Sequence, residues 1–119
     1  MTLVNKNATA IPYGTTLGQI FNEELLEMMG DVVGNEIDIF NVNLWLTPGI
    51  SINRNTQNRR NLGYYSEDPF IRGKMAAAIS WSVQKHKNRA TTFKKFAWNN
   101  QEMDRFNTNS LVCFLVSCT

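Results

Sequence analysis

Between two stretches of helical periodicity the chain carries a long run with no period at all: Asn53 to Asp68, reading Asn-Arg-Asn-Thr-Gln-Asn-Arg-Arg-Asn-Leu-Gly-Tyr-Tyr-Ser-Glu-Asp. Sixteen residues exceed the usual connection between elements, and such loops in compact domains are either functional or disordered. The helix that follows has a sharp start, with Asp68 as its cap and Pro69 in the first turn, where a missing N–H costs nothing. Phe70, Ile71, Met75, Ala78, Ile79, Ser82 and Val83 form its expected buried face, and the run Ala76-Ala77-Ala78 permits close approach. The helix should fade near Lys87–Asn88. Lys85, His86, Lys87 and Arg89 crowd its end, where cations suit the helix dipole.

Upstream of the loop, Leu17, Ile20, Phe21, Leu25 and Met28 recur at helical spacing, with Thr15 or Thr16 as cap and Gly30 as stop. From Glu36 to Leu46 the period becomes that of a strand: Phe40, Val42, Leu44 and Leu46 alternate with Asn41, Asn43 and Trp45. Ile37 and Ile39 fall on the other parity, which implies a bulge near Ile39–Phe40. Thr47-Pro48-Gly49 reads as a tight turn. Ala90 to Trp98 reads as a further strand, with a helix through Phe93, Phe96, Ala97, Asn100 and Met103 as the competing fit. Leu111 to Cys118, apolar on both parities, reads as a central strand covered on both faces. These elements predict a single α+β domain over residues 1–119: a small sheet of about three strands, two main helices packed on it, and an extended N-terminal arm at residues 1–13.

A chain of 119 residues is long enough to bury one core. No apolar run approaches the ~20 residues of a membrane span, and the first residues lack the apolar region of a secretory signal. A soluble protein of the cytoplasm, or of a virion, is expected. Cys113 and Cys118, on opposite faces of one strand, cannot bridge without strain and are expected as thiols. With one histidine they cannot complete a structural zinc site. Asp31, Glu36 and Asp38 have no lysine beside them to complete a magnesium-dependent nuclease site. No metal and no cofactor are expected.

Charge is distributed unevenly. Residues 1–49 hold one base and six acids, a net of −5, and residues 50–119 hold eleven bases and four acids, a net of +7. Fifteen asparagines supply much of the remaining polarity. Enzymatic constellations are thin: there is no phosphate loop and no dinucleotide fingerprint. His86 lies among Lys85, Lys87 and Arg89, which should hold its pKa down, and has no evident carboxylate to orient it.

The basic half carries the stronger pattern. Arg54, Arg59 and Arg60 precede Tyr64 and Tyr65 in the long loop, while Lys85, Lys87, Arg89, Lys94 and Lys95 follow the second helix with aromatics interleaved. Arginine and lysine suit phosphate, and tyrosine suits unpaired bases. The sequence therefore points to a non-enzymatic nucleic-acid-binding protein, RNA or DNA, of the general character of a small viral or phage coat or nucleocapsid subunit. The alternative is a self-assembling homo-oligomeric subunit whose basic half meets the acidic first helix of the next copy. Neither reading involves a membrane or a small-molecule substrate.

Overall fold

The structure is a computed structural model that describes residues 7–95 together with Asp104, Phe106 and Asn107. The strand expected at Leu111–Cys118, both cysteines, Phe96 and Trp98 lie outside the described residues. In chain order the elements are α1 (Gly14–Gly18), α2 (Glu23–Phe40), β1 (Leu44–Trp45), a 3-10 turn (Asn61–Gly63), α3 (Pro69–Gln84) and β2 (Ala90–Thr91).

The expected first helix divides in two. Phe21 adopts a positive φ of 51°, and the Asn22 side chain accepts a hydrogen bond from the Leu25 amide to start α2 afresh. α2 then passes straight through Gly30. Its buried positions are Leu26, Gly30, Val33, Gly34 and Ile37, which recur at helical spacing and carry the helix into the segment read as a strand. The alternation between Glu36 and Ile39 was a local coincidence that packing against α3 overrides. The helix ends instead at Asn41, in the left-handed conformation at φ 53° and ψ 46°, whose amide donates to the carbonyls of Asp38 and Ile37. The expected apolar stripe is off by one residue: Leu26 is fully buried, whereas Phe21 and Met28 are exposed.

α3 begins where the sequence places it. Asp68 Oδ1 accepts from the amides of Phe70 at 2.8 Å and Ile71 at 2.9 Å, with Pro69 in the first turn. Most of its expected face is buried, including Met75, Ala78, Ile79, Ser82 and Val83, but Phe70 points to solvent. Leu26, Ile79 and Val83 are completely enclosed between α2 and α3, each contributing about 1.5–3 kcal/mol through removal from water. Tyr65, from the loop, joins Leu17, Leu26, Met75, Ala78 and Ile79 in the same core.

The strands overturn the α+β expectation. β1 and β2 pair in parallel, Leu44 opposite Ala90 and Trp45 opposite Thr91, with α3 crossing between them. A parallel pair needs such a crossover, so the unit is β–α–β rather than a small sheet with two helices packed on it. Short ladders gave too little period-2 signal to reveal their direction.

The glycines at 30 and 34 are contact points rather than helix stops. A Cβ on Gly30 would lie 2.6 Å from the Ile79 carbonyl oxygen and 2.8 Å from Ser82 Cβ. Gly30→Ala should therefore destabilise the fold by about 1–3 kcal/mol. Gly73, in α3 with open space around it, should behave oppositely, Gly73→Ala adding about 0.5–1 kcal/mol. Urea unfolding followed by circular dichroism measures both; equal effects would contradict the close helix crossing.

Candidate functional site

Chain pairing continues beyond the formal strands. The Ala90 amide donates to the Asn43 carbonyl, Thr92 to Trp45, Lys94 to Pro48, and Ile50 to Lys94, all at 2.9–3.0 Å. Residues 43–50 and 90–94 thus run side by side, and their C-terminal ends emerge together. The loop folds back onto the same end. Gly49 forms an isolated parallel bridge with Tyr64, a contact possible because a Cβ on Gly49 would stand 2.5 Å from the Gly63 carbonyl oxygen.

Asparagines shape this loop. Asn61 Nδ2 donates to the Asn55 carbonyl at 2.7 Å, buried Asn58 accepts from the Arg60 amide at 3.1 Å, and Asn53 Nδ2 donates to the Tyr64 carbonyl at 3.0 Å. The Thr15 hydroxyl of α1 lies 2.7 Å from the Asn61 carbonyl and 3.0 Å from that of Tyr64, tying the loop to the helical layer.

The result is a cleft of about 660 Å³ at the C-terminal ends of β1 and β2, within the range of small-molecule sites. Thr47 and Gly49 come from the first segment, Arg59, Arg60, Gly63 and Tyr64 from the loop, and Lys94 and Lys95 from beyond β2. Tyr13, Leu46 and Leu62, all well exposed, complete its lining. The lining thus combines hydrogen-bond donors with apolar side chains. None of the described lining residues is a carboxylate.

Of the ten residues singled out in the sequence, the fold brings Arg59, Arg60, Tyr64, Lys94 and Lys95 into this one cleft. The others lie elsewhere. Arg54 pairs with Glu67 at 2.8 Å on the exposed surface. Tyr65 is buried in the helix–loop core, where burial pushes its phenol pKa upward, so its ring offers no stacking face. Lys85 pairs with Glu27 at 2.9 Å, Lys87 is exposed outside the cleft, and Arg89 binds Asp38. Thr47 and Gly49 were read only as a turn; their position directly after a strand, at the end where loops gather, was the signal that could have singled them out.

His86 also departs from expectation. Its Nδ1 lies 3.0 Å from Asp38 and its Nε2 3.0 Å from Asp31, both on α2. The hydrogen bond to Asp38 holds the imidazolium and raises the pKa; partial burial opposes this, and Asp31 adds to the rise. The neighbouring cations do not hold it down: Lys85 is turned to Glu27, and Arg89 shares with His86 the Asp38 carboxylate. Arg89 in turn lowers the Asp38 pKa, with His86 second, and also binds the Asn43 side chain just before β1. Among the described residues no group of acids, histidines and cysteines is arranged to hold a metal.

These shifts set a pH window. A raised histidine pKa stabilises the fold below the unfolded value of 6.5, and that contribution disappears as pH rises through the folded value. A lowered Asp38 pKa stabilises above 3.8, and is lost as pH falls through the folded value. Wild type should therefore exceed Asp38→Asn in unfolding free energy most between pH 3.8 and 6.5, with the gap narrowing on either side. A gap independent of pH would contradict the network.

Comparison with known proteins shows which family the chain belongs to. Residues 1–105 match the model of the glycosyl hydrolase family 3 N terminal domain. The chain is 41% identical over 102 residues to beta-glucosidase A of Butyrivibrio fibrisolvens, covering 86% of this chain and 12% of that enzyme. Its fold matches beta-glucosidase 3B of Thermotoga neapolitana, solved with alpha-D-glucose, with a TM-score of 0.76 and 37% identity over 85% of this chain and 14% of the other. DesR, a beta-glucosidase of Streptomyces venezuelae solved with D-glucose, gives 0.81 and 32% over 88% of this chain and 13% of that one.

The described elements are thus part of a TIM-barrel-like domain rather than an α+β sheet of their own. The expectation of a non-enzymatic, nucleic-acid-binding coat or assembly subunit is likewise overturned, since the relatives are enzymes acting on sugars. Its error was to read a composition shared by two ligand classes: cations with aromatics suit a sugar as well as a phosphate backbone. The chain belongs to glycosyl hydrolase family 3, within the family's N-terminal domain.

Proposed function

We infer that the cleft binds the sugar ring of a glucoside and that the protein carrying it is a glycoside hydrolase of the beta-glucosidase type. The observation that supports this most is the convergence of Thr47, Arg60 and Lys94 at the C-terminal end of a parallel strand pair. In TIM-barrel enzymes that end holds the active site. Relatives of the same fold, 32–37% identical to this chain, carry glucose in their solved structures.

The residues of the cleft suit the handling of a sugar. The Arg60 guanidinium and the Lys94 ammonium donate to hydroxyl oxygens, and the Thr47 hydroxyl both donates and accepts. Tyr13, Leu46 and Leu62 offer apolar surface to the C–H faces of the ring. Glycoside hydrolysis needs two carboxylates flanking the scissile bond. The described residues of this wall supply neither, so their part is to bind and orient the ring, which lowers the entropic share of the barrier.

Amide shifts of the isotopically labelled chain on addition of D-glucose test the reading. Gly49, Gly63, Tyr64 and Lys94 should move, and Arg60→Ala or Lys94→Ala should each weaken binding about tenfold. Lys87→Ala, outside the cleft, should leave it unchanged. Shifts confined to other surfaces, or undiminished in the two cleft variants, would overturn the reading.

A further inference from the structure

The segment that carries Arg60 into the cleft is gripped by backbone from two sides. A Cβ on Gly14 of α1 would stand 2.7 Å from the Gly63 carbonyl oxygen, and one on Gly18 would overlap the Tyr65 carbonyl. From the other side, Gly49 meets the same Gly63 carbonyl. Residues 61–65 thus lie between α1 and the first strand segment, with Arg60 at their start. The Arg60 amide donates to Asn58 Oδ1 at 3.1 Å, and its carbonyl accepts from the Gly63 amide at 3.0 Å. Its backbone is therefore fixed within the 3-10 turn, and wherever that turn sits, Arg60 goes with it.

Glycine contacts set how closely α1 approaches the loop, but they carry no direction along it. The Thr15 hydroxyl does. It lies 2.7 Å from the Asn61 carbonyl and 3.0 Å from that of Tyr64, one at each end of the turn. A hydroxyl has one proton to donate, so Thr15 shares it between the two ends, and the directionality of hydrogen bonds fixes where the turn stands. We propose that Thr15 is a positioning residue of the cleft, holding the turn through the Asn61 and Tyr64 carbonyls at the register that aims the Arg60 guanidinium at the sugar. Thr15 itself touches no sugar; its effect passes through the backbone of residues 60–64. Two residues before it, Tyr13 lines the same cleft, so one short helix sets two parts of the wall. The proposal rests on the sugar-binding reading and adds α1 to the site.

Amide hydrogen exchange and D-glucose titration of the labelled 119-residue chain test it together. The Gly63 and Tyr64 amides are bonded within the turn, to Arg60 and Asn61. In Thr15→Val, which keeps the shape but not the hydroxyl, both should exchange about tenfold faster, while Val33 and Ile79 in the helices keep their protection. D-glucose should bind that variant about tenfold more weakly. Thr15→Ser, which retains the hydroxyl, should restore both properties. Thr16→Val, the same change at the exposed neighbour, should alter neither. Thr15→Ala replaces the valine variant if that one does not fold. Unchanged exchange at Gly63 and Tyr64 overturns the proposal. So does faster exchange with wild-type affinity for glucose, or an affinity loss that serine does not restore; both leave the sugar-binding reading standing. If glucose shifts none of Gly49, Gly63, Tyr64 and Lys94 in the wild type, the sugar-binding reading falls and the positioning role with it.

Discussion

The parallel alignment of residues 43–50 with 90–94 is the constraint on which the rest depends. Its regular part is two residues long on each side, Leu44–Trp45 against Ala90–Thr91, too short to persist alone. Three supports hold it: α3 packs on α2 from below, Arg89 binds both Asp38 and Asn43 at the N-terminal end, and irregular backbone bonds from Lys94 to Pro48 and from Ile50 to Lys94 extend it at the other. One end of the ladder is thus a side-chain clamp, the other the mouth of the cleft. That division is the one seen in α/β barrels, where conserved geometry at the lower end serves stability and loops at the upper end serve chemistry.

The charge split along the sequence finds its use inside one chain. Glu23, Glu27, Asp31 and Asp38 all lie on α2, and they meet Lys74, Lys85, His86 and Arg89 of α3 and the turn after it. Part of the basic half thus faces the acidic α2 within a single unit. The pairs at Glu23 and Glu27 are half exposed and contribute about 0–1 kcal/mol each, so they set the register of the helices more than their affinity. The network around His86 is better enclosed, its ring and the Arg89 side chain being only 13% and 11% exposed.

Legibility in the sequence followed the range of the interactions. α3 was readable because its cap, Asp68-Pro69, and its apolar face are both local. α2 was misread beyond Gly30 because glycine signals a stop locally, whereas here it admits Ile79 and Ser82 from a distant helix. The strand direction was hidden because two-residue ladders leave almost no period. The loop at Asn53–Asp68 folds onto the strand ends, and half of the ten residues chosen in the sequence meet in one cleft. Arginine, lysine and tyrosine speak equally to phosphates, bases and sugar hydroxyls, so no local pattern in the sequence separated these ligand classes. The abundance of asparagine had a local cause too, since Asn53, Asn55, Asn58 and Asn61 stitch the loop internally.

A fold that places its donors at the C-terminal ends of parallel strands makes one commitment above the others: a sugar should sit there. A crystal of the chain soaked with D-glucose tests it directly. The account predicts density for the ring between Thr47, Arg60 and Lys94, with hydroxyl oxygens within hydrogen-bond distance of the two cationic side chains. Glucose ordered only at another surface, with that cleft holding solvent alone, would contradict it.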